Sequence, residues 1–151
     1  MSRSGYSEDC DDQWEFIRWR GAVNSAIKGK RGQAFLKEML AAMDAMPEKR
    51  LVSSELEKNG EVCAIGSVGV ARGIDMSDID PEAYWEVADR FGINEKLAQE
   101  IVYQNDEYWW CETDEKGRVL NDENGRYIPL TPESRYRKMY AWIKGLIKDG
   151  D

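Results

Sequence analysis

Three aspartates spaced Asp75-x-x-Asp78-x-Asp80 come nearest, by residue type and spacing, to a reaction centre in this chain. Clustered carboxylates offer hard oxygen ligands to Mg²⁺ or Mn²⁺, and metal-dependent nucleases place acids in this way. Such clusters work with a lysine or histidine base, and none stands beside these three. Histidine is absent from the whole chain, which removes the commonest general base and the commonest metal ligand. Loop and helix-cap roles for Ser77 and Asp80 account for the same residues. The three cysteines, Cys10, Cys63 and Cys111, include no Cys-x-x-Cys pair, so no zinc pattern closes and reduced structural thiols are expected. Gly66-Ser67-Val68-Gly69 lacks the Gly-Lys-Ser/Thr ending of a phosphate-binding loop, and Gly29-Lys30-Arg31-Gly32 lacks the strand before it. Neither Gly117 nor Gly125 follows the carboxylates that a calcium loop requires. No catalytic residue, metal site or cofactor is assigned on these grounds, and a non-enzymatic protein is expected.

Charge is the more informative signal. Between Asp75 and Glu123 lie fifteen acids and four basic residues, so this block is more negative than the −8 of the whole chain. Within it sits an aromatic insert, Tyr103, Tyr108, Trp109 and Trp110, flanked by Asp106, Glu107, Glu112 and Asp114. Tryptophan and tyrosine dominate interface hot spots, and two adjacent tryptophans on a regular strand point to opposite faces. The expected partner-binding set is therefore Asp106, Glu107, Tyr108, Trp109, Trp110, Glu112, Asp114 and Glu115. A solvated acidic face is the competing reading. Two basic segments oppose this block, Gln13–Gly32 and Arg126–Lys148. They define an alternative nucleic-acid surface of Lys28, Lys30, Arg31, Arg135, Arg137 and Lys138, to which Trp142 or Tyr136 would add stacking. Internal pairing of the basic helices with the acidic block competes with that reading.

The elements that must position these residues are mostly helical. Residues 1–10 are polar and expected to fray, leaving one domain over 11–151. Asp11 and Asp12 suit the start of a helix over Gln13–Lys28, with Phe16, Trp19, Val23 and Ala26 as its buried stripe. Two glycines break the chain at 29–32. A second helix is expected over Gln33–Met46, burying Phe35, Leu36, Met39, Leu40, Met43 and Met46, and ended by Pro47. Residues 50–73 read two ways, as a hairpin about Asn59-Gly60 or as a helix over 64–72 capped by Ser53 or Ser54, with Gly66, Gly69 and Gly73 admitting another helix. A helix opened by Asp80-Pro81 runs to Phe91 and stops at Gly92, and Asn94 caps the next, burying Leu97, Ala98, Ile101 and Val102. Asp114-Glu115-Lys116-Gly117-Arg118 is echoed eight residues later by Asp122-Glu123-Asn124-Gly125-Arg126, which predicts a small β-excursion. A last helix starts at Thr131-Pro132 and buries Tyr136, Met139, Tyr140, Ile143 and Ile147. The fold class is thus mainly α, a compact single-domain bundle of about five helices with a small β-hairpin excursion. No stretch reaches the ~18 apolar residues of a membrane span, and the polar first residues predict no export.

Two strings, Arg20-Gly21-Ala22-Val23-Asn24-Ser25-Ala26-Ile27-Lys28-Gly29-Lys30-Arg31-Gly32-Gln33-Ala34-Phe35-Leu36 and Gly60-Glu61-Val62-Cys63-Ala64-Ile65-Gly66, resemble a group of small uncharacterised proteins encoded by tailed phages and prophages of proteobacteria. The likeness spans roughly residues 17–104 and the final helix, and Tyr108–Leu130 departs from it. The resemblance implies a context, the bacterial host cytoplasm, and an accessory role, but no site residues. The expected function is a non-enzymatic inhibitor of a host nucleic-acid-processing or defence complex, of anti-CRISPR or anti-restriction type. Its partner would present a basic groove to the acidic, aromatic-bearing surface. The alternative is a nucleic-acid-binding accessory factor, and a carboxylate-only metal enzyme ranks third.

Overall fold

Helical spacing of apolar residues, interrupted by glycines, builds the chain; the computed structural model describes residues 3–6 and 13–148. Among these, six α-helices and a two-stranded antiparallel hairpin carry the fold: α1 Gln13–Lys28, α2 Lys30–Ala45, β1 Glu57–Lys58, β2 Glu61–Val62, α3 Ala64–Arg72, α4 Tyr84–Phe91, α5 Glu95–Tyr103 and α6 Pro132–Leu146. A π-helical turn, Gln104–Tyr108, continues α5. The mainly helical class is as expected. Asp11 and Asp12, the proposed caps of α1, lie outside the described residues.

α1 and α2 form the expected pair, but a single residue, Gly29, separates them. Gly32, expected in the break, is buried within α2, where a Cβ would stand 1.9 Å from the Ala26 carbonyl oxygen. The second glycine therefore serves close approach of the two helices rather than the turn. Gln33 locks this corner. Its amide donates to the carbonyls of Ile27 and Leu146 at 2.8 and 3.0 Å and accepts the Lys148 N–H at 2.9 Å. Two helix C-termini, which cannot satisfy their last carbonyls internally, are thereby tied together. On α1 the expected stripe holds at Val23, which is buried, and at Trp19 and Ala26, which pack against the core; Ile27 is buried too, while Phe16, at the N-terminal end of the same face, is 48% exposed.

Both readings of residues 50–73 hold at once. Asn59 and Gly60 take positive φ values of 54° and 82°, the mirror-image turn that suits a two-residue hairpin, and α3 follows immediately. The cap of α3 is Cys63, whose sulfur accepts the Gly66 N–H at 3.3 Å, and not Ser53 or Ser54. Gly66 and Gly69 admit a loop instead of another helix: added Cβ atoms would meet the Leu56 carbonyl oxygen at 2.0 Å and the Met76 sulfur at 2.2 Å. Gly73, with φ at +71°, is the left-handed cap of α3. α4 begins at Tyr84, later than Asp80-Pro81 predicts, because Asp80 bonds the Glu82 N–H in a turn of its own. Gly92 and Asn94 cap α4 and α5 as expected.

The eight-residue repeat is visible in the backbone. Asp114 and Asp122 each accept two loop N–H groups through Oδ1, at 2.8–2.9 Å, in matching hairpin turns. Glu112, Leu120 and Ile128 close a three-way ring of backbone bonds: Glu112 donates to Ile128, Ile128 to Leu120 and Leu120 to Glu112. The excursion is thus a small three-fold arrangement of short β-bridges, larger than one hairpin. The core runs from α1 and α2 through α3, α4 and α5 to α6, around Leu36, Met39, Met43, Phe91, Leu97 and Met139. Among the described residues no helix is long and apolar enough to cross a membrane.

Candidate functional site

The acidic block divides into an inward part and an outward part, and the division decides which residues are free for a partner. The inward part begins at the π-helical turn, which swings Asn105, Asp106 and Glu107 toward the chain's first residues. Asp106 receives the Arg3 guanidinium in a fork, Nε to Oδ2 at 2.6 Å and Nη2 to Oδ1 at 2.8 Å, with the two side chains only 3% and 8% exposed. Burial would raise the Asp106 carboxyl, but hydrogen bonds from Arg3, Asn105 and the Ser54 N–H outweigh it and hold the group below the ordinary carboxylate range. Ser4 donates through Oγ to Glu107, and Glu100 accepts Tyr6 Oη at 2.8 Å and both Arg20 nitrogens at 2.9 and 3.0 Å. Burial, followed by the Glu100 charge, drives the Tyr6 hydroxyl well above its usual value, so it stays a donor. Residues 3–6, expected to fray, are packed against the domain; the rest of the expected 1–10 segment lies outside the described residues.

Asp106 and Glu107 are therefore engaged within the molecule and not presented as a free acidic pair. Glu112 is half-buried and accepts the Ser134 hydroxyl. Asp114 organises its own loop and pairs with Arg118 at 2.8 Å, while Glu115 is exposed. The aromatic insert splits between core and surface, although Trp109 and Trp110 lie on no strand. Trp109 packs on the core, whereas Trp110 is 57% exposed and meets Tyr127 edge-to-face at 4.6 Å, with Tyr108 also outward. Of the alternative basic set, Arg135 donates to the Asn105 carbonyl, Arg137 to Ser134 and Lys138 to Thr113. Lys28, Lys30 and Arg31 are exposed, and Lys148, whose ammonium reaches the Lys28 carbonyl at 3.0 Å, joins them.

Asp75, Asp78 and Asp80 do not converge on a common point. Asp75 accepts from the Ser77 N–H and hydroxyl, which hold it below its usual value, Asp78 pairs with Arg90 at 3.2 Å, and Asp80 bonds Glu82. Among the described residues no group of three or more His, Cys, Asp or Glu side chains could hold a metal ion. Cys63 and Cys111 are free and buried, and Cys10 lies outside the described residues.

The outward part includes exposed Glu95, Glu115, Asp122 and Glu123, and among the described residues its one stripe around a tryptophan lies on α4 and the turn before it. Glu82, Trp85, Glu86 and Asp89 follow helical spacing and are all exposed, Trp85 at 53%. The three acids have no ion-pair partner among the described residues. Trp85 is braced from one side by Tyr84, edge-to-face at 5.1 Å. The sequence carried the signal for this stripe, since spacing of 82, 85, 86 and 89 repeats the helical period, but the adjacent Trp109-Trp110 pair drew the reading elsewhere. Arg3 carried no local signal at all. No known protein family, curated protein or solved structure matches the chain.

Proposed function

We propose that the chain is a non-enzymatic binding protein whose α4 face docks on a basic groove of a protein partner. The observation that carries this reading is the α4 stripe, an exposed Trp85 set among Glu82, Glu86 and Asp89, which have no ion-pair partner among the described residues. A half-exposed indole between unpaired carboxylates suits an anchor that is desolvated on docking, with acids steering the approach of a cationic surface. Exposed Tyr108 at the end of the π-helical turn, and exposed Trp110 and Glu115 after it, carry the same acidic, aromatic character. The resemblance to phage-encoded accessory proteins supports a host nucleic-acid-processing or defence complex as that partner, in the manner of an anti-CRISPR or anti-restriction inhibitor. Binding of such a complex from host lysate, released at high salt and lost in Trp85→Ala with Glu82, Glu86 and Asp89 reversed to Lys, tests the reading. Retention by that variant would sink it.

A second reading keeps a specific observation in its favour. Lys28, Lys30, Arg31 and Lys148 converge from three segments at one corner, which suits contact with phosphates. Binding of a labelled duplex or single strand that weakens steeply with salt supports it, and no binding at low salt removes it.

A further inference from the structure

Four consecutive residues, Arg3-Ser4-Gly5-Tyr6, meet the domain as a bound peptide meets its receptor, each read by a different group. The guanidinium lies in the Asp106 fork, with its third nitrogen 3.8 Å from the Cys63 sulfur. Ser4 is held at both ends, its carbonyl by the Gln99 amide at 3.0 Å and its hydroxyl by Glu107. At Gly5, φ is +71° and a Cβ would fall 2.7 Å from the Tyr84 ring, so a side chain there is excluded twice over. Tyr6 inserts between Trp19 and Tyr103, at 5.0 and 5.2 Å between ring centres, and its hydroxyl reaches Glu100.

The receptor side is built independently of this occupant. Asp106 is aimed by the Ser54 N–H at 3.2 Å and by the Asn105 amide at 2.8 Å. Asn105 is itself fixed by the Ala64 N–H and the Val52 carbonyl, at 3.1 and 2.9 Å. A carboxylate held in place by its own scaffold is preorganised for a guanidinium from any source.

We propose that this groove is an arginine-recognising peptide site, specific for Arg-Ser-Gly-Tyr-like segments, which the chain fills with its own residues 3–6 as an arm. The arm is then an internal competitor: an arginine-bearing segment of a protein partner enters only by displacing it. This site adjoins the α4 face through Tyr84, which covers Gly5 and braces Trp85, but its test does not depend on that face.

The test uses the full-length chain with Arg3→Ala, Ser4→Ala and Tyr6→Ala, which removes the arm's anchors and leaves the groove. The probe is acetyl-Arg-Ser-Gly-Tyr-amide, titrated by calorimetry. It binds this variant, and a Lys-for-Arg probe binds about 10-fold more weakly or worse, because an ammonium cannot make the fork. Adding Asp106→Asn costs a comparable factor. The unaltered protein binds the probe at least about 10-fold more weakly than the variant, since a tethered arm competes at an effective concentration near the millimolar range. Equal binding of the Arg and Lys probes, no binding to the folded variant, or equal binding to the unaltered protein overturns the proposal. Should the triple variant fail to fold, Arg3→Ala alone decides. Millimolar ethylguanidinium, but not ethylammonium, then raises its melting temperature and leaves that of the unaltered protein unchanged; the same response to both cations, or to neither, refutes the site.

Discussion

Arg3→Ala is the most demanding test of how this chain is held together, because nothing local in the sequence makes Arg3 important. The substitution removes the paired charge from an Asp106 carboxylate that is 8% exposed with Arg3 in place and is still oriented by Ser54 and Asn105. Breaking a buried pair from one side costs about 3–5 kcal/mol, most of it the penalty of the stranded charge. For a chain of this length about 1 kcal/mol moves the melting temperature by roughly 2–4 °C, so a fall of about 6–20 °C is expected. Asp106→Asn should relieve part of that penalty. The double variant is then less destabilised than the two single losses added together, by about 0.5–3 kcal/mol. Chemical denaturation of the four proteins at pH 7, followed by circular dichroism, measures every term. The reasoning fails if Arg3→Ala costs less than about 1 kcal/mol, the value typical of an exposed pair, or if the two substitutions are additive.

Acid should weaken the same contact. The folded Asp106 carboxyl lies below its unfolded value, so its contribution is full above the ordinary carboxylate range and is lost as pH falls through the folded value. The stability gap between the unaltered protein and Asp106→Asn should therefore narrow below about pH 4, and a constant gap down to pH 2 would contradict this. Gly32→Ala places a Cβ 1.9 Å from the Ala26 carbonyl oxygen and should cost about 1–3 kcal/mol in a urea melt, even though alanine is the better helix former. Phe35→Ala, at a buried site, should cost about 3–5 kcal/mol, whereas Phe16→Ala on the exposed side of α1 should cost no more than about 1 kcal/mol. Reversing Glu82, Glu86 and Asp89 with Trp85→Ala should leave the melting temperature nearly unchanged while removing partner binding, which separates docking from folding.

Helix positions were legible because the information is local. The spacing of Phe35, Leu36, Met39 and Met43, and the cap pairs at Gly92 and Asn94, state their structures within a few residues. Boundaries failed where a distant group intervened. Gly32 looked like a breaker, yet its lack of a side chain answers to Ala26 on the preceding helix. Phe16 reads as core with Trp19, Val23 and Ala26, yet it alone of the four is largely exposed, because it lies at the end of α1 beyond the buried Val23 and Ile27. The hairpin and α3 read as rivals because a longer second strand would overlap the helix at Ala64 and Ile65, but β2 ends at Val62 and leaves room for each.

Charge was the least legible property. A run of fifteen acids reads from sequence as one surface, but a net charge per segment says nothing about which carboxylates find cations after folding. Here Arg3 and Arg20 arrive from far along the chain to take Asp106 and Glu100, at sequence separations of 103 and 80 residues. Those carboxylates hold the N-terminal arm, and they are engaged within the fold before any partner arrives. Among the described residues the acids on α4 and the turn before it keep no such cation, and the tryptophan among them is turned outward. The carboxylates that can steer a partner are therefore the ones that folding left unpaired. On the function proposed above, that rule favours Trp85 and its three acidic neighbours over the adjacent tryptophans of 109–110 as the docking surface.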